Sequence, residues 1–191
     1  MNKWLIALLS VGLVLVIAIG SFIGTFNRLQ LLDESVNSKW AQVENQLQRR
    51  SDLIPNLVST VKGYASHEKT IFTGIAEARA NLAGAVKKGN VKEVNRANAE
   101  FSGALSRLLA ISENYPQLKA DQNFIALQDE IAGTENRLAV ARKDYNESVK
   151  EINGLIRTFP TSVIAGMAGV KSREYFQVEE SKKEVPVVSF N

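Results

Sequence analysis

The sequence predicts an all-α protein, with an N-terminal transmembrane helix followed by an antiparallel bundle of long helices. Three observations carry that reading. An uncharged apolar run extends from Trp4 to Phe26. Beyond it, apolar residues recur at alternating steps of three and four, the repeat of packed helices. Sustained period-two alternation is confined to a short stretch near the end, Val185 to Phe190.

The apolar run, WLIALLSVGLVLVIAIGSFIGTF, is flanked by Lys3 and Arg28. A helix of about 20 apolar residues crosses the hydrocarbon core of a bilayer. Leu, Ile, Val and Phe each favour insertion by roughly 0.3–0.6 kcal/mol at the helix centre. Trp4 and Phe26 suit the two interfaces. The competing reading is a cleaved signal peptide, with Ala18-Ile19-Gly20 as a small-x-small site. The apolar pattern continues past that site through Phe22, Ile23 and Phe26, which favours an uncleaved signal anchor over residues 1–26. Lys3 stands alone before the run, whereas Arg28, Lys39, Arg49 and Arg50 follow it, so the positive-inside rule leans toward a cytoplasmic body. Gly20 and Gly24 form a small-xxx-small pair that permits close approach of a second copy.

Residues 27–178 read as the bundle and 179–191 as a polar tail. The first seam runs Val36, Trp40, Val43, Leu47, Arg50, Ile54, Leu57, Val61, Tyr64, with Arg50 its one charged member. Pro55 falls inside it. A proline removes one backbone hydrogen bond and crowds the preceding turn, so either a kink or a short break is expected, and the preserved heptad phase favours a kinked or nearly continuous path. Helical pattern then extends to about Val86, where Lys87-Lys88-Gly89-Asn90 supplies a stop and a turn. A second stripe, Val91, Val94, Ala97, Phe101, Leu105, Leu108 and Ile111, ends before Pro116. A third, from Phe124 through Ile131, Thr134, Leu138, Ala141, Tyr145 and Ile152 to Phe159, predicts a helix from about Lys119 to Phe159. The small apolar stretch Thr161–Val170 is expected to pack across one end of the bundle as a short helix.

Composition narrows the chemistry. The chain has no Cys and one His, His67. Disulfides, thiol nucleophiles, iron–sulfur clusters and two-histidine metal sites within one chain are excluded. His67-Glu68 lacks a second His four residues on, where Ile71 stands. Neither a Gly-x-Ser-x-Gly elbow nor a phosphate-cradling glycine loop occurs. With 23 Lys plus Arg against 20 Asp plus Glu in mixed order, no basic stripe points to nucleic acid. No catalytic residue, metal ligand or cofactor site is expected.

The polar residues on or beside the seams are the positions of interest: Arg49, Arg50, Asp52, Glu135, Asn136 and Arg142. A buried charge needs a partner, so Arg50 or Arg49 is expected to meet Glu135 or Asp52 across the bundle and fix its register. Asn27, Asn56 and Asn146 share with Asn136 the expectation of aligning helices or lining a partner groove.

Several stretches together resemble the LemA family. They are Trp40-Ala41-Gln42-Val43 with Gln46, Arg49-Arg50-Ser51-Asp52-Leu53-Ile54-Pro55-Asn56-Leu57-Val58, Val61-Lys62-Gly63-Tyr64-Ala65 with His67-Glu68, and Ala78-Arg79. The second half adds Tyr115-Pro116-Gln117-Leu118-Lys119-Ala120, Thr134-Glu135-Asn136, Ala141-Arg142, Tyr145-Asn146, Phe159-Pro160 and Tyr175-Phe176. The match spans about residues 26 to 178; Phe26-Asn27 departs from a common Tyr-Asn. The resemblance implies a bacterial membrane protein with a membrane helix and an antiparallel bundle, without an established enzymatic activity or cofactor. It supplies no functional residues to carry over. A magnetosome-membrane lineage shares the fold, which suggests scaffolding. The reading is a membrane-anchored scaffold or adaptor that binds the lipid bilayer and membrane-proximal protein partners, with self-association allowed. The alternatives are a membrane-associated signalling or stress-response component and, least favoured, a hydrolase.

Overall fold

A computed structural model describes residues 3–177. Six α-helices follow in order: α1 Lys3–Tyr64, α2 Lys69–Lys88, α3 Val91–Ala110, α4 Pro116–Lys119, α5 Gln122–Leu155 and α6 Thr161–Ala168, with a 3-10 turn at Ile111–Asn114. No strand occurs among the described residues. The tail from 179 and the alternating run Val185–Phe190 lie outside them. Two compact units are formed. One takes the described part of Met1–Lys39 with Asn146–Arg173, and the other Trp40–Tyr145 with the described residues from Glu174. Helices α1 and α5 contribute to both.

In the second unit the predicted seams become the core. Val43, Leu47, Ile54, Leu57 and Val61 of α1 are buried, as are Phe124, Ile131, Leu138 and Ala141 of α5. The two helices run antiparallel there, for Trp40 meets Tyr145, Arg50 meets Glu135 and Tyr64 meets Asp121. Helices α2 and α3 form a hairpin, burying Phe72, Ile75, Ala78 and Leu82 from one and Val94, Ala97, Phe101, Leu105 and Leu108 from the other. Their turn needs Gly89, whose φ of 67° is left-handed. Asn90 then caps α3, accepting from the Glu93 amide at 3.1 Å.

Two helix boundaries differ from the sequence expectation. Helix α1 does not continue to Val86 but ends at Tyr64, and α2 begins at Lys69. A straight continuation would leave the Phe72–Ile75–Leu82 stripe without a partner; the turn folds it back onto the core, with Ala65 buried at its start. The α5 helix is Gln122–Leu155, shorter at both ends than 119–159. Asp121 stands before it as the cap, its carboxylate accepting from the Phe124 amide at 2.9 Å. The same carboxylate accepts the Tyr64 hydroxyl at 2.7 Å, tying the end of α1 to the start of α5. The Phe124 amide first, then the Tyr64 hydroxyl, hold Asp121 below the usual carboxylate value, and the bond to Asp121 pushes Tyr64 up.

Helix α1 passes through Pro55 without a break. The missing proline N–H leaves the Ser51 carbonyl without its helical donor. Arg79 of α2 supplies one: its Nε donates to the Ser51 carbonyl at 3.0 Å and reaches the Ser51 hydroxyl at 3.2 Å.

In the first unit α6 packs on Leu29, with Ile164 and Ala165 buried and Phe26, Leu155, Ile156 and Val170 around them. Buried Asn153 holds the chain that follows α6. Its amide donates to the Arg173 carbonyl at 2.8 Å and its oxygen accepts from the Arg173 amide at 2.8 Å. The Arg173 guanidinium in turn grips Asp33 through Nε at 3.1 Å and Nη2 at 2.7 Å.

Two measurements check this account on the full chain in detergent. Arg79→Ala strands a buried carbonyl and lowers the unfolding free energy by about 1–3 kcal/mol; in a Pro55→Ala background, where the amide donor is restored, the loss shrinks. A carboxylate held low stabilises the fold above its unfolded value of about 3.9 and loses that contribution as the pH falls through the lower folded value. Acid unfolding is therefore shallower for Asp121→Asn, which keeps an acceptor at the cap but does not titrate.

Candidate functional site

The polar layer of the second unit is built around Arg50. Its seam position points inward, and its side chain is only 6% exposed. Nη1 lies 2.8 Å from Glu135 Oε2 on α5 and donates to the Ser102 hydroxyl of α3 at 3.1 Å. The guanidinium carbon stands 5.3 Å from the centre of the Phe101 ring, within cation–π range. Burial pushes Arg50 below its ordinary pKa; the Glu135 carboxylate opposes that push and Arg142 adds to it. An arginine stays charged under such pressure. Among the described residues, Arg50 Nε, Gln46 Oε1, Asn95 Oδ1 and Asn98 Oδ1 are also buried without a hydrogen-bond partner. This layer gives up stability that an apolar core would hold.

Arg142 is half-buried, one turn beyond Leu138 on α5. Its guanidinium covers the Phe176 ring at 4.7 Å. Burial lowers its pKa, with the Glu135 charge acting against the shift. Phe176 also meets Trp40 at 6.2 Å, and Trp40 meets Tyr145 at 5.1 Å. The Tyr145 hydroxyl donates to the Glu174 carbonyl at 2.8 Å. An aromatic cluster thus docks the Glu174–Phe176 segment against α1 and α5.

The remaining candidates sit apart from Arg50. Arg49 is exposed and makes a two-nitrogen contact with Glu130, at 3.1 and 2.8 Å. Glu130 also accepts from Arg137 at 2.9 Å, and the bond from Arg49 is the main reason its pKa is held down. Asp52 accepts from Gln48 at 2.8 Å and faces Arg79 at 3.7 Å. Asn136 is exposed and lines a groove of about 480 Å³ with Gln42, Asn45, Gln46, Val140 and Asp144. Of the other amides, Asn27 and Asn56 are exposed and Asn146 is half-buried; among the described residues the buried asparagines are Asn98 and Asn153. Asn98 and Ser102 carry no expectation from the sequence, and Arg79 enters there only within the Ala78-Arg79 stretch. Asn98 and Ser102 flank Phe101 on the α3 stripe, and that stripe was the available signal. His67 is exposed in the turn between α1 and α2.

The geometry aligns helices and presents an open groove whose apolar lining is edged by amide and charged groups. Glu135→Ala leaves Arg50 buried without its anion, and unfolding in denaturant is expected to show a loss of about 3 kcal/mol. Arg50→Met combined with Glu135→Ala recovers much of that loss, because no charge then remains buried.

A family model described as LemA family matches residues 39–190. Magnetosome protein MamQ 1 and magnetosome protein MamQ 2 of Paramagnetospirillum magneticum are each 26% identical over 201 residues, covering 91% of this chain and 74% of the relative. Protein LemA of Metamycoplasma hominis is 23% identical over 163 residues, covering 85% of this chain and 73% of its own length. The matched span takes in Arg50, Ser51, Pro55, Arg79, Glu135 and Phe176, the residues that organise the second unit, and this chain belongs to the LemA family.

Proposed function

We propose that this chain is a single-pass membrane scaffold or adaptor, not an enzyme. Its N-terminal helix crosses the bilayer, and its helical body offers a surface to protein partners on the cytoplasmic side. The observation that carries this reading is the state of the apolar run. Of the membrane-length apolar window in α1, no part is buried, and Trp4 and Leu8 are 88% and 75% exposed. A run of that length left open in water opposes solubility; in lipid it is matched to its solvent. Gly20 and Gly24 are open on α1, with nothing within 4 Å of an added Cβ, so a second copy has room to approach.

The adaptor part rests on the groove beside the Arg50 layer. Its accessible lining is mainly apolar, from Val140, which is 60% exposed, Ala141 and the side-chain stems around them, with amide and charged groups of Asn45, Asn136 and Asp144 among them. An open, shallow lining of apolar surface edged by polar groups is the composition of a protein contact. Relatives named as magnetosome proteins are compatible with a structural role. Tethering confines the body to the membrane and raises its effective concentration for neighbours held there.

A biotin ligase fused after Asn191 tests the reading in cells. The ligase needs ATP, so labelling requires a cytoplasmic terminus. The full chain is expected to label a reproducible set of neighbours, reduced by Val140→Arg with Asp144→Lys and lost on deletion of residues 1–26. A set indistinguishable from that of a ligase carried on the membrane helix alone refutes the adaptor role.

A further inference from the structure

The geometry points to a second lipid contact: the outer face of α6, carrying Val163 and Met167, together with Phe159 in the turn before it, is an interfacial element that embeds in the bilayer surface. This inference rests on the anchor reading of α1.

Val163 and Met167 are four residues apart within α6, so they share one face, and Phe159 lies in the turn that leads into the helix. Phe159, Val163 and Met167 are 85%, 57% and 71% exposed. The opposite face is occupied, since Ile164 and Ala165 are buried against Leu29. An eight-residue helix that buries one apolar face and leaves another open has an unmet partner, and its position identifies that partner. Leu29 is the first fully buried side chain of α1. Phe26, which packs on the same cluster, is the last residue of the uncharged run. The step of three from Phe26 to Leu29 advances about 4.5 Å along the helix axis. Headgroup layers extend roughly 5–8 Å beyond the hydrocarbon on each side. When α1 crosses the membrane, α6 is therefore held at the depth where interfacial helices lie.

The flanking charges agree with that placement. Arg157 and Lys171 are exposed in the segments that lead into and out of α6, Arg28 is exposed at the end of the apolar run, and Arg28 is only loosely paired with Glu151 at 3.7 Å. Long cationic side chains at this depth reach up to phosphates while their stems stay in the apolar layer. A second protein would need a large complementary patch, whereas a lipid surface accepts three isolated apolar side chains as they stand.

The absence of cysteine permits a direct test. Nitroxide labels are placed singly at Val163→Cys, Met167→Cys, Val11→Cys and Lys87→Cys in the full chain. Each variant is reconstituted in vesicles of phosphatidylcholine with phosphatidylglycerol. Collision with oxygen is compared with collision with a water-soluble nickel chelate. The oxygen-to-nickel ratio is expected to be highest at Val11, several-fold above Lys87 at Val163 and Met167, and lowest at Lys87. Ratios at Val163 and Met167 equal to that at Lys87 overturn the inference. Protection from both reagents, or spin–spin broadening at Met167, assigns the face to protein and also overturns it. A water-like ratio at Val11 removes the anchor reading itself, which keeps the two failures distinct.

Discussion

A single buried cation constrains the second unit. Arg50 occupies a core position on α1, where a charge is tolerated only with partners in place. Those partners come from different helices: Ser102 and Phe101 from α3, and Glu135 from α5. The next residue, Ser51, offers its carbonyl to Arg79 of α2. Two consecutive residues of α1 thus specify where three other helices stand. Apolar stripes alone tolerate sliding by a heptad, since one leucine fills a gap much like another. An ion pair, a hydroxyl and a carbonyl acceptor do not.

Much of this was legible in the sequence, and the limits have physical causes. The α1 and α5 seams were readable because step patterns of three and four survive any tertiary arrangement, and Val43, Leu57, Phe124 and Leu138 are all buried. Arg50 stood out as a charge among apolar neighbours, with Glu135 one of two carboxylates named to meet it. The partner list stopped there because Ser102, Asn98 and Arg79 look like ordinary surface residues until the hairpin folds back. The end of α1 was missed for a related reason. No proline marks residues 65 to 68, and the polar run Ser66-His67-Glu68-Lys69-Thr70 passes equally for an exposed helical face; the fold-back is set by the demand to bury Phe72 and Ile75. Asn153 and Arg173 escaped notice since a clamp on an irregular segment has no period to reveal it.

The layer around Arg50 and the open apolar run on α1 divide the chemistry of the chain between two solvents. The run has no polar side chain able to hold a partner in water beyond Ser and Thr, and the body has its strongest interactions in charged and aromatic contacts such as Arg142 over Phe176. Such a body takes its specificity from geometry, because Glu135 and Glu130 are already engaged by arginines. Asn136 and Val140 are exposed and take no part in those alignment devices.

Pro55 has a consequence for how the chain holds its structure. A helix normally completes its own hydrogen bonds, and its ends are set by local propensity. Helix α1 does not complete its own: the acceptor at Ser51 is satisfied by a side chain 28 residues further along. The turn before the proline is thus completed by a tertiary contact. Docking of α2 supplies α1 with a hydrogen bond that α1 lacks alone, which links the stability of the helix at that turn to the packing of the hairpin.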